Sequence, residues 1–547
     1  MKTNRNYIYL LMLAVTSLLS TGCSDFLDSK DNSNISGANF FSSEEDCRAA
    51  TAPLYSRVWF DFNDKFYYGL GDGRGFNLRA EFSDYVYPFT DLNETGLTGP
   101  LVSAWGSLYN VVQQSNKVIS GIKASSYINE TAKPLYIAEA RFMRGVAYYY
   151  LVMLWGDVIL SENSDDLVAN PVVPTNPVED VYRFIMQDLE YAAKYLDETS
   201  YAKGRVNKYS AFGMLSRVYL TYAGYSNNPN SGVRNTEYLE LAKSAALKVI
   251  ENRNIRLMAD YADLFMIENN NNAESLFALQ WVTNSNSHGD ANTIQNYFAY
   301  GSEVTGTDRA WGGATVAQPN VIWEYEPGDT RRKATWMATG DFYPELKSNE
   351  GGLLVDYNNQ QLNCKKYVCG SNKDHPSITY GSTPINTYML RLAEVYLNYA
   401  EAVLGNNAST SDPVALELYN IVRNRAGLQP RTSFTFDDLR RERRLELCLE
   451  GQYWYDMVRW SYYKQQEVLN YIDAQQRGTL IPVLWDENTQ TLSEDTDRSR
   501  TTRAVGDVRA SIFKLPYPQT ESSQNPLLRE DPVPYEFTEE RITDLFN

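Results

Sequence analysis

Apolar residues three and four positions apart recur in segment after segment, and this spacing constrains the fold more than any other feature of the chain. Trp105 to Ile119 carries Leu108, Tyr109, Val112 and Val118 on one helical face, and Ser120-Gly121 follows. Pro134 opens a second segment that runs to Gly156, in the first-turn position that tolerates proline. Pro177 to Leu196, Lys208 to Ala223 and Tyr238 to Ile250 continue the series. Farther on, Asn386 to Gly405 places Tyr388, Leu392, Val395, Tyr399 and Val403 on one face, and Gly405-Asn406-Asn407 is a stop. Val414 to Ala426 follows and ends at Gly427. Thr435-Phe-Asp-Asp438 is a capping-box pattern that opens a helix through Leu449, with Gly451 as its stop. After Trp460 the pattern becomes irregular. Consecutive amphipathic helices with short breaks predict a mainly α fold of stacked helical hairpins. No clean period of about 34 residues runs through them.

Between Asn252 and Pro384 the helical spacing fades. Asn, Gly, Ser and Pro crowd in, as in NNNNAE and NSNSHGD. LFALQWV, Leu276 to Val282, reads as a short strand. The region is expected to hold long loops with small pieces of sheet, and loops of that length are usually functional or disordered.

The N-terminus has three parts. Lys2 and Arg5 are positive, Tyr7 to Leu19 is mostly apolar, and Ser20, Thr21 and Gly22 are small. The apolar run is too short to span a bilayer and has the form of a secretory signal. Cys23 follows at once. Leu-Ser-Thr-Gly-Cys resembles a bacterial lipobox, in which the chain is cut before the cysteine and the thiol is acylated. Cys23 is therefore read as the lipidated first residue of the mature protein, with several acyl chains giving firm anchoring. The polar stretch Ser29 to Asn39 then serves as a tether.

The net charge of −18 argues against a nucleic-acid partner, which needs a basic footprint. Cys448 sits in an apolar-rich helical pattern and should be buried. Cys364 and Cys369 flank Lys-Lys-Tyr-Val, and a short-loop disulfide and a pair of free thiols are equally open. Their spacing does not suit zinc. The two histidines, His288 and His375, lie outside any metal-ligand pattern and read as loop residues. No cofactor is expected. The acidic, Asn-rich loops are compatible with structural calcium, although no ligand spacing supports it. Glu442, Glu446 and Glu450 fall four residues apart on one helical face, beside Arg443 and Arg444. An architectural ion-pair network is the favoured reading, and a catalytic carboxylate pair the lesser one.

Two aromatic-rich loops are the binding candidates. Gly71-Asp-Gly-Arg-Gly75 lacks the ending of a phosphate loop and reads as a turn. Its alternative is a ligand-facing loop in which Arg74 and Arg79 stand with Phe76 and Tyr85. The loop from Asn284 to Trp323 holds Tyr297, Tyr300 and Trp311 among Asn, Asp, Arg and Gly. Sugars offer C–H faces to aromatic rings and hydroxyls to planar polar groups, so Trp311 is the leading contact.

Several segments, taken in order, resemble the SusD/RagB family of outer-membrane nutrient-binding lipoproteins. They begin with Cys23-Ser-Asp-Phe-Leu-Asp28 and include Trp105-x-x-Leu-Tyr109, Ala138-Glu-Ala-Arg-Phe-Met-Arg144 and Leu154-Trp-Gly-Asp157. The strongest are Leu390 to Glu401, Tyr419-Asn-x-x-Arg-x-Arg-Ala-Gly427, and Glu442-Arg-Arg-x-Glu446 through Arg459-Trp460. Lys514-Leu-Pro-Tyr-Pro518 and Asn525-Pro-Leu-Leu528 are similar to the family's closing segment. The resemblance implies tetratricopeptide-like helical hairpins with a loop-rich, partly irregular binding part. It divides the chain into a signal peptide (1–22), a lipidated tether (23–40), an N-terminal helical region (41–230) and a C-terminal region with the binding loops (231–547), the last two forming one unit. It implies a non-enzymatic lipoprotein, anchored in the outer membrane and facing the cell exterior. Such a protein captures glycans or other oligomeric nutrients and passes them to a TonB-dependent SusC-like transporter. The alternatives are a surface glycoside hydrolase using Asp/Glu pairs such as Glu442 and Glu446, and a structural or adhesion lipoprotein.

Overall fold

Proline and small polar caps start the helices where the apolar spacing predicts them. A computed structural model describes residues 40–80, 83, 85–227, 230–283 and 289–546; Cys23, the signal segment and His288 lie outside them. The principal helices are α1 (Glu44–Thr51), α2 (Gly99–Ala124), α3 (Lys133–Trp155), α4 (Val178–Tyr195), α5 (Lys208–Tyr225) and α6 (Thr236–Ile250). After the loop region come α7 (Leu392–Leu404), α8 (Pro413–Arg425), α9 (Phe436–Glu446) and α10 (Tyr453–Asp473). Asn207 caps α5 and Thr435 caps α9, each in a reciprocal capping box. From α2 to α6 each helix packs on the next, and α6 packs on α7, which packs on α8. Helix α3 is buried along almost its whole length, because α2 and α4 cover two sides and aromatic residues from Trp59 to Phe66 cover a third.

The loop region contributes short strands, all antiparallel. β1 (Leu78–Ala80), β3 (Thr315–Ala317), β5 (Asn363–Cys364) and β4 (Trp336–Met337) form one sheet in that order. β2 (Ser275–Leu279) pairs with β6 (Thr387–Arg391), with a register shift near Phe277. Two expectations need correction here. The helix predicted from Asn386 starts only at Leu392, because Thr387–Arg391 is buried on both faces as a strand against β2. A strand buried on both sides shows no alternation to betray it. Only the first part of the irregular stretch after Trp460 needs correction: it is the end of helix α10, which bends at Lys464 (φ −128°, ψ 45°) and so breaks the helical spacing. The C-terminal residues return to the first helices: Leu515 N–H donates to Leu154 O at 2.6 Å, and Tyr535 and Phe537 pack edge to face over α4.

Within the C-terminal region, charged side chains fill the interior. Arg391 donates to Glu274 (2.8 Å), Glu446 (2.6 Å) and Glu450 (2.7 Å). Arg331 donates to Asp329 (2.8 Å), Glu442 (2.6 Å) and Glu446 (3.1 Å). Arg425 closes the ring between Glu274 and Glu446. A second group lies one helix away, where Glu401 accepts from Arg459 (2.6 Å) and Arg234 (2.9 Å). Glu442 and Glu446 are sealed from solvent, and three cationic neighbours hold Glu446 well below the usual carboxylate range. The expected ion-pair network is present. The same burial denies this pair any access to a glycan, so it is not a hydrolase's carboxylate pair.

The glycine-rich stretch is not a ligand-facing loop. Gly69–Arg74 forms a wide π-helical turn that is buried throughout. A Cβ on Gly71 would stand 2.3 Å from the Gly451 Cα, so two backbone segments touch where side chains would separate them. Asp72 fastens this contact, accepting N–H bonds from Leu449 and Gly451 at 2.8 Å each. Burial lifts the Asp72 carboxyl to about 6, against donors that favour its charged form.

Cys364 and Cys369 are both free thiols, so the disulfide alternative is set aside. Tyr367, at φ 64°, reverses the chain between them. The Cys364 thiol points into the sheet toward Thr315 O at 3.9 Å, and the Cys369 thiol toward Tyr367 O at 3.8 Å. Burial pushes Cys369 up to about 12, which makes it inert. Cys448 is buried as expected.

Two predictions test this frame. Arg459 and Arg234 depress Glu401 from 4.5 to about 2 despite the opposing effect of burial. A carboxylate with a lowered native pKa contributes stability above pH 4.5 that is lost as the pH falls toward 2. Glu401→Gln is expected to lower stability at neutral pH by about 3–5 kcal/mol, since it strands a buried charge. Its stability should also fall less than that of wild type over that acid window, measured by denaturant unfolding at stepped pH. Gly71→Ala should cost about 1–3 kcal/mol through overpacking against Gly451; a melting curve matching wild type would refute the contact.

Candidate functional site

One edge of the four-stranded sheet gathers the exposed aromatics. The pairing of Ala80 with Thr315 sets the exit of β1 beside the entry of β3. Tyr85, just after β1, and Trp311, just before β3, are thereby brought to the same side. Between them lies Tyr297, on the short helix Ile294–Phe298. Its ring is 5.2 Å from Tyr85 and 5.4 Å from Trp311, centroid to centroid. Tyr68 packs beneath it at 5.9 Å and in turn meets Phe298 edge to face at 5.0 Å. Trp311 is 47% exposed while Tyr297 is 8% exposed, so the indole is the raised part of a supported wall.

Local backbone bonds hold the indole in place. Trp311 N–H donates to Asn296 O at 2.7 Å, and Gly312 N–H to Ala299 O at 2.9 Å. A Cβ on Gly312 would lie 2.3 Å from the Phe298 carbonyl carbon, so glycine is required there. Gln295 ties the same short helix to a neighbouring loop, donating to Gly370 O (2.8 Å) and accepting from Gly370 N–H (3.0 Å). A second aromatic pair flanks this wall: Tyr300 and Tyr357 stand 4.7 Å apart, and Tyr357 is 45% exposed. The Tyr357 hydroxyl and Tyr300 O both lie against Gly313. Tyr380, 72% exposed, lies beneath the Arg309 guanidinium at 5.9 Å.

Charge is present at the wall but balanced. The Lys65 ammonium lies 5.8 Å from the Tyr85 ring and 5.7 Å from the Tyr297 ring, and 3.3 Å from Asp64. Burial, and then the Asp64 carboxylate, push the Tyr297 phenol well up, so it stays a neutral donor. Burial and the nearby Glu303 push Tyr300 to about 12. Among the described residues, no group of three or more His, Cys, Asp or Glu side chains is placed to hold a metal, and no helix is long and apolar enough to cross a membrane.

The structure thus brings Tyr85, Tyr297 and Trp311 together, with Tyr300 alongside. It removes Arg74, Phe76 and Arg79 from the site. Arg74 is 1% exposed, pairs with Glu94, donates to Ile512 O at 2.7 Å and lies over Trp454. Phe76 is buried under the Arg477 guanidinium at 4.8 Å. Arg79 lies in β1, buried on both faces, and donates to Ile481 O at 3.3 Å. Polar residues in a glycine-rich stretch look solvated in sequence, but here the close Gly71–Gly451 approach draws them inward. The sequence reading missed Lys65, Tyr357, Arg309 and Tyr380. The signal available for Lys65 was a charged pair inside the aromatic run FNDKFYY.

The arrangement is a ring-lined surface with polar groups at its rim. Residues 254–533 match the SusD family model, and residues 81–220 match a second model described as starch-binding and associating with the outer membrane. A SusD-like protein of Bacteroides ovatus is 40% identical over 97% of this chain and 98% of its own length. The starch-binding protein SusD of Bacteroides thetaiotaomicron is 24% identical over 61% of this chain and 65% of its own. A crystal structure with xylogluco-oligosaccharide, 40% identical, superposes with a TM-score of 0.83 over 90% of this chain and all of that one. A laminarin-binding SusD-like protein, 21% identical, shares the fold with a TM-score of 0.66 over 89% of this chain and 98% of its own. The family model covers half of the chain and a relative 40% identical is matched over nearly its whole length, so the chain belongs to the SusD family.

Proposed function

We propose that this protein is a cell-surface lipoprotein that captures glycan chains on the Tyr85–Tyr297–Trp311 wall and hands them to a TonB-dependent, SusC-like transporter. One observation carries the binding step: a half-exposed tryptophan is held rigid beside two tyrosines, in a chain 40% identical to a protein crystallised with xylogluco-oligosaccharide. A pyranose ring lays its C–H face on an aromatic face, and its hydroxyls turn to the rim. Tyr357 extends the ring surface toward a second sugar unit. Neutral xyloglucan-type oligosaccharides are therefore the first ligands to test.

Surface placement rests on other grounds. The outer-membrane association in the matched family description supports it. Cys23, outside the described residues, supplies the thiol that lipidation needs, directly after the small-residue cleavage site. Family membership supports hand-over to a SusC-like barrel, and co-purification of such a barrel with natively expressed protein is its test.

Trp311→Ala is expected to weaken binding of a xyloglucan oligosaccharide by about 1–3 kcal/mol, measured by calorimetry, with the melting temperature unchanged. Retained affinity would remove Trp311 from the binding surface. Cys23→Ala should shift the protein from the membrane fraction to the soluble one and abolish radiolabelled acyl incorporation; unchanged fractionation would refute the anchor.

A further inference from the structure

The wide turn Phe62–Phe66 presents two charged side chains to the aromatic wall. It is a π-helical turn, in which Phe62, Asn63 and Phe66 are buried. Phe66 stacks parallel to Trp155 at 6.3 Å, and Phe62 packs on Tyr150 at 5.0 Å. Asn63 accepts from Thr387 Oγ1 at 2.7 Å. These anchors force the two residues between them, Asp64 and Lys65, outward, where their side chains are 16% and 38% exposed. π-Turns of this kind often mark functional positions.

The pair is fixed from the far side as well. Asp64 accepts from Thr293 Oγ1, immediately before the short helix that carries Tyr297. Lys65 is 3.3 Å from Asp64, and its ammonium faces both Tyr85 and Tyr297. One carboxylate acceptor and one ammonium donor thus stand about one hydrogen-bond length apart at the edge of the rings. The neighbouring hydroxyl oxygens of a pyranose have that same separation. Two such hydroxyls placed here would donate to Asp64 and accept from Lys65 while the sugar face rests on the exposed Trp311 beside Tyr297. Charged partners make such hydrogen bonds stronger than neutral ones.

The balance of charge selects the class of sugar. Asp64 neutralises Lys65, and the chain as a whole carries −18, so this pair gives a uronic acid no advantage over a neutral sugar. We propose that Asp64 and Lys65 act together as a specificity-determining pair that reads a vicinal diol of a neutral pyranose on the Tyr297–Trp311 wall. This rests on the glycan-capture reading above.

The test is calorimetry on the mature protein with a xylogluco-oligosaccharide, at low salt and at about 0.5 M NaCl, comparing wild type with Lys65→Met, Asp64→Asn, the double variant and Trp311→Ala. Lys65→Met and Asp64→Asn should each weaken binding about tenfold or more. The double variant should lose less than the product of the two single losses, because one diol engages both groups. Wild-type affinity should be the same at both salt concentrations. Asp64→Asn retains an acceptor for Thr293, and matched melting temperatures will show that each variant folds. Wild-type affinity in both single variants, alongside a loss in Trp311→Ala, would overturn the diol reader and leave glycan capture standing. A steep fall of wild-type binding with salt would also overturn it, because a mutually neutralised pair reading an uncharged diol offers salt no net charge to screen. No binding of any neutral glycan by wild type would overturn the capture reading itself.

Discussion

The structure depends on the ion lattice around Arg391, Glu446 and Glu450, in which every member is nearly closed off from water. Arg391 ends β6 and begins α7, Glu274 precedes β2, Glu446 ends α9, and Glu450 follows it. Arg331 and Arg425 bring in the loop region and α8. Desolvating so many charges is costly, and mutual attraction compensates only where almost every lone pair and proton finds a partner. Here each carboxylate meets two or more donors, so the lattice has little freedom to rearrange. It specifies one relative placement of helices and loops, where apolar packing alone would accept several.

That placement carries through to the aromatic wall by covalent and hydrogen-bonded steps. Glu450 is adjacent to Gly451, whose N–H is bonded to Asp72. Asp72 holds the π-helical turn against Gly451, and the turn delivers the chain into β1. β1 pairs with β3 and so positions both Tyr85 and Trp311. A loop residue that must stack on a sugar gains affinity only if its conformation is settled beforehand. Arg444 reinforces the path by donating to Asn77 Oδ1 and Phe76 O at 2.8 Å each. Arginines that look like surface charges in sequence therefore serve as rigid connectors beneath the site.

The legible parts of this protein are those whose physics is local. Helices α2, α4 and α6 announce themselves because one face of each is buried and the other is wetter. The caps of α5 and α9, at Asn207 and Thr435, lie where short polar side chains can reach free N–H groups. Thr387–Arg391 was misread because burial on both faces hides the alternation of a strand. Arg74 and Arg79 were misplaced because their partners are Glu94, Ile512 O and Ile481 O, and the last two are more than 400 residues away. Trp311 was legible as a large ring among small polar residues. Lys65 was not, since its position over Tyr85 and Tyr297 exists only after two distant segments pack.

The same distinction explains how an acidic protein holds an electrically quiet site. Carboxylates outnumber cations in the chain, but the field of that net charge offers a neutral ligand no steering. Affinity must come from ring area and from hydrogen bonds whose donors and acceptors already point the right way. Trp311 and Tyr357 provide area, and each is braced from behind: Trp311 by Asn296 and Ala299, and Tyr357 by Tyr300 and Gly313. The rigid junction in the core and the exposed rings at the edge are therefore two ends of one design constraint, because a shallow surface can retain a flexible chain only if the protein side of the contact loses almost no freedom on binding.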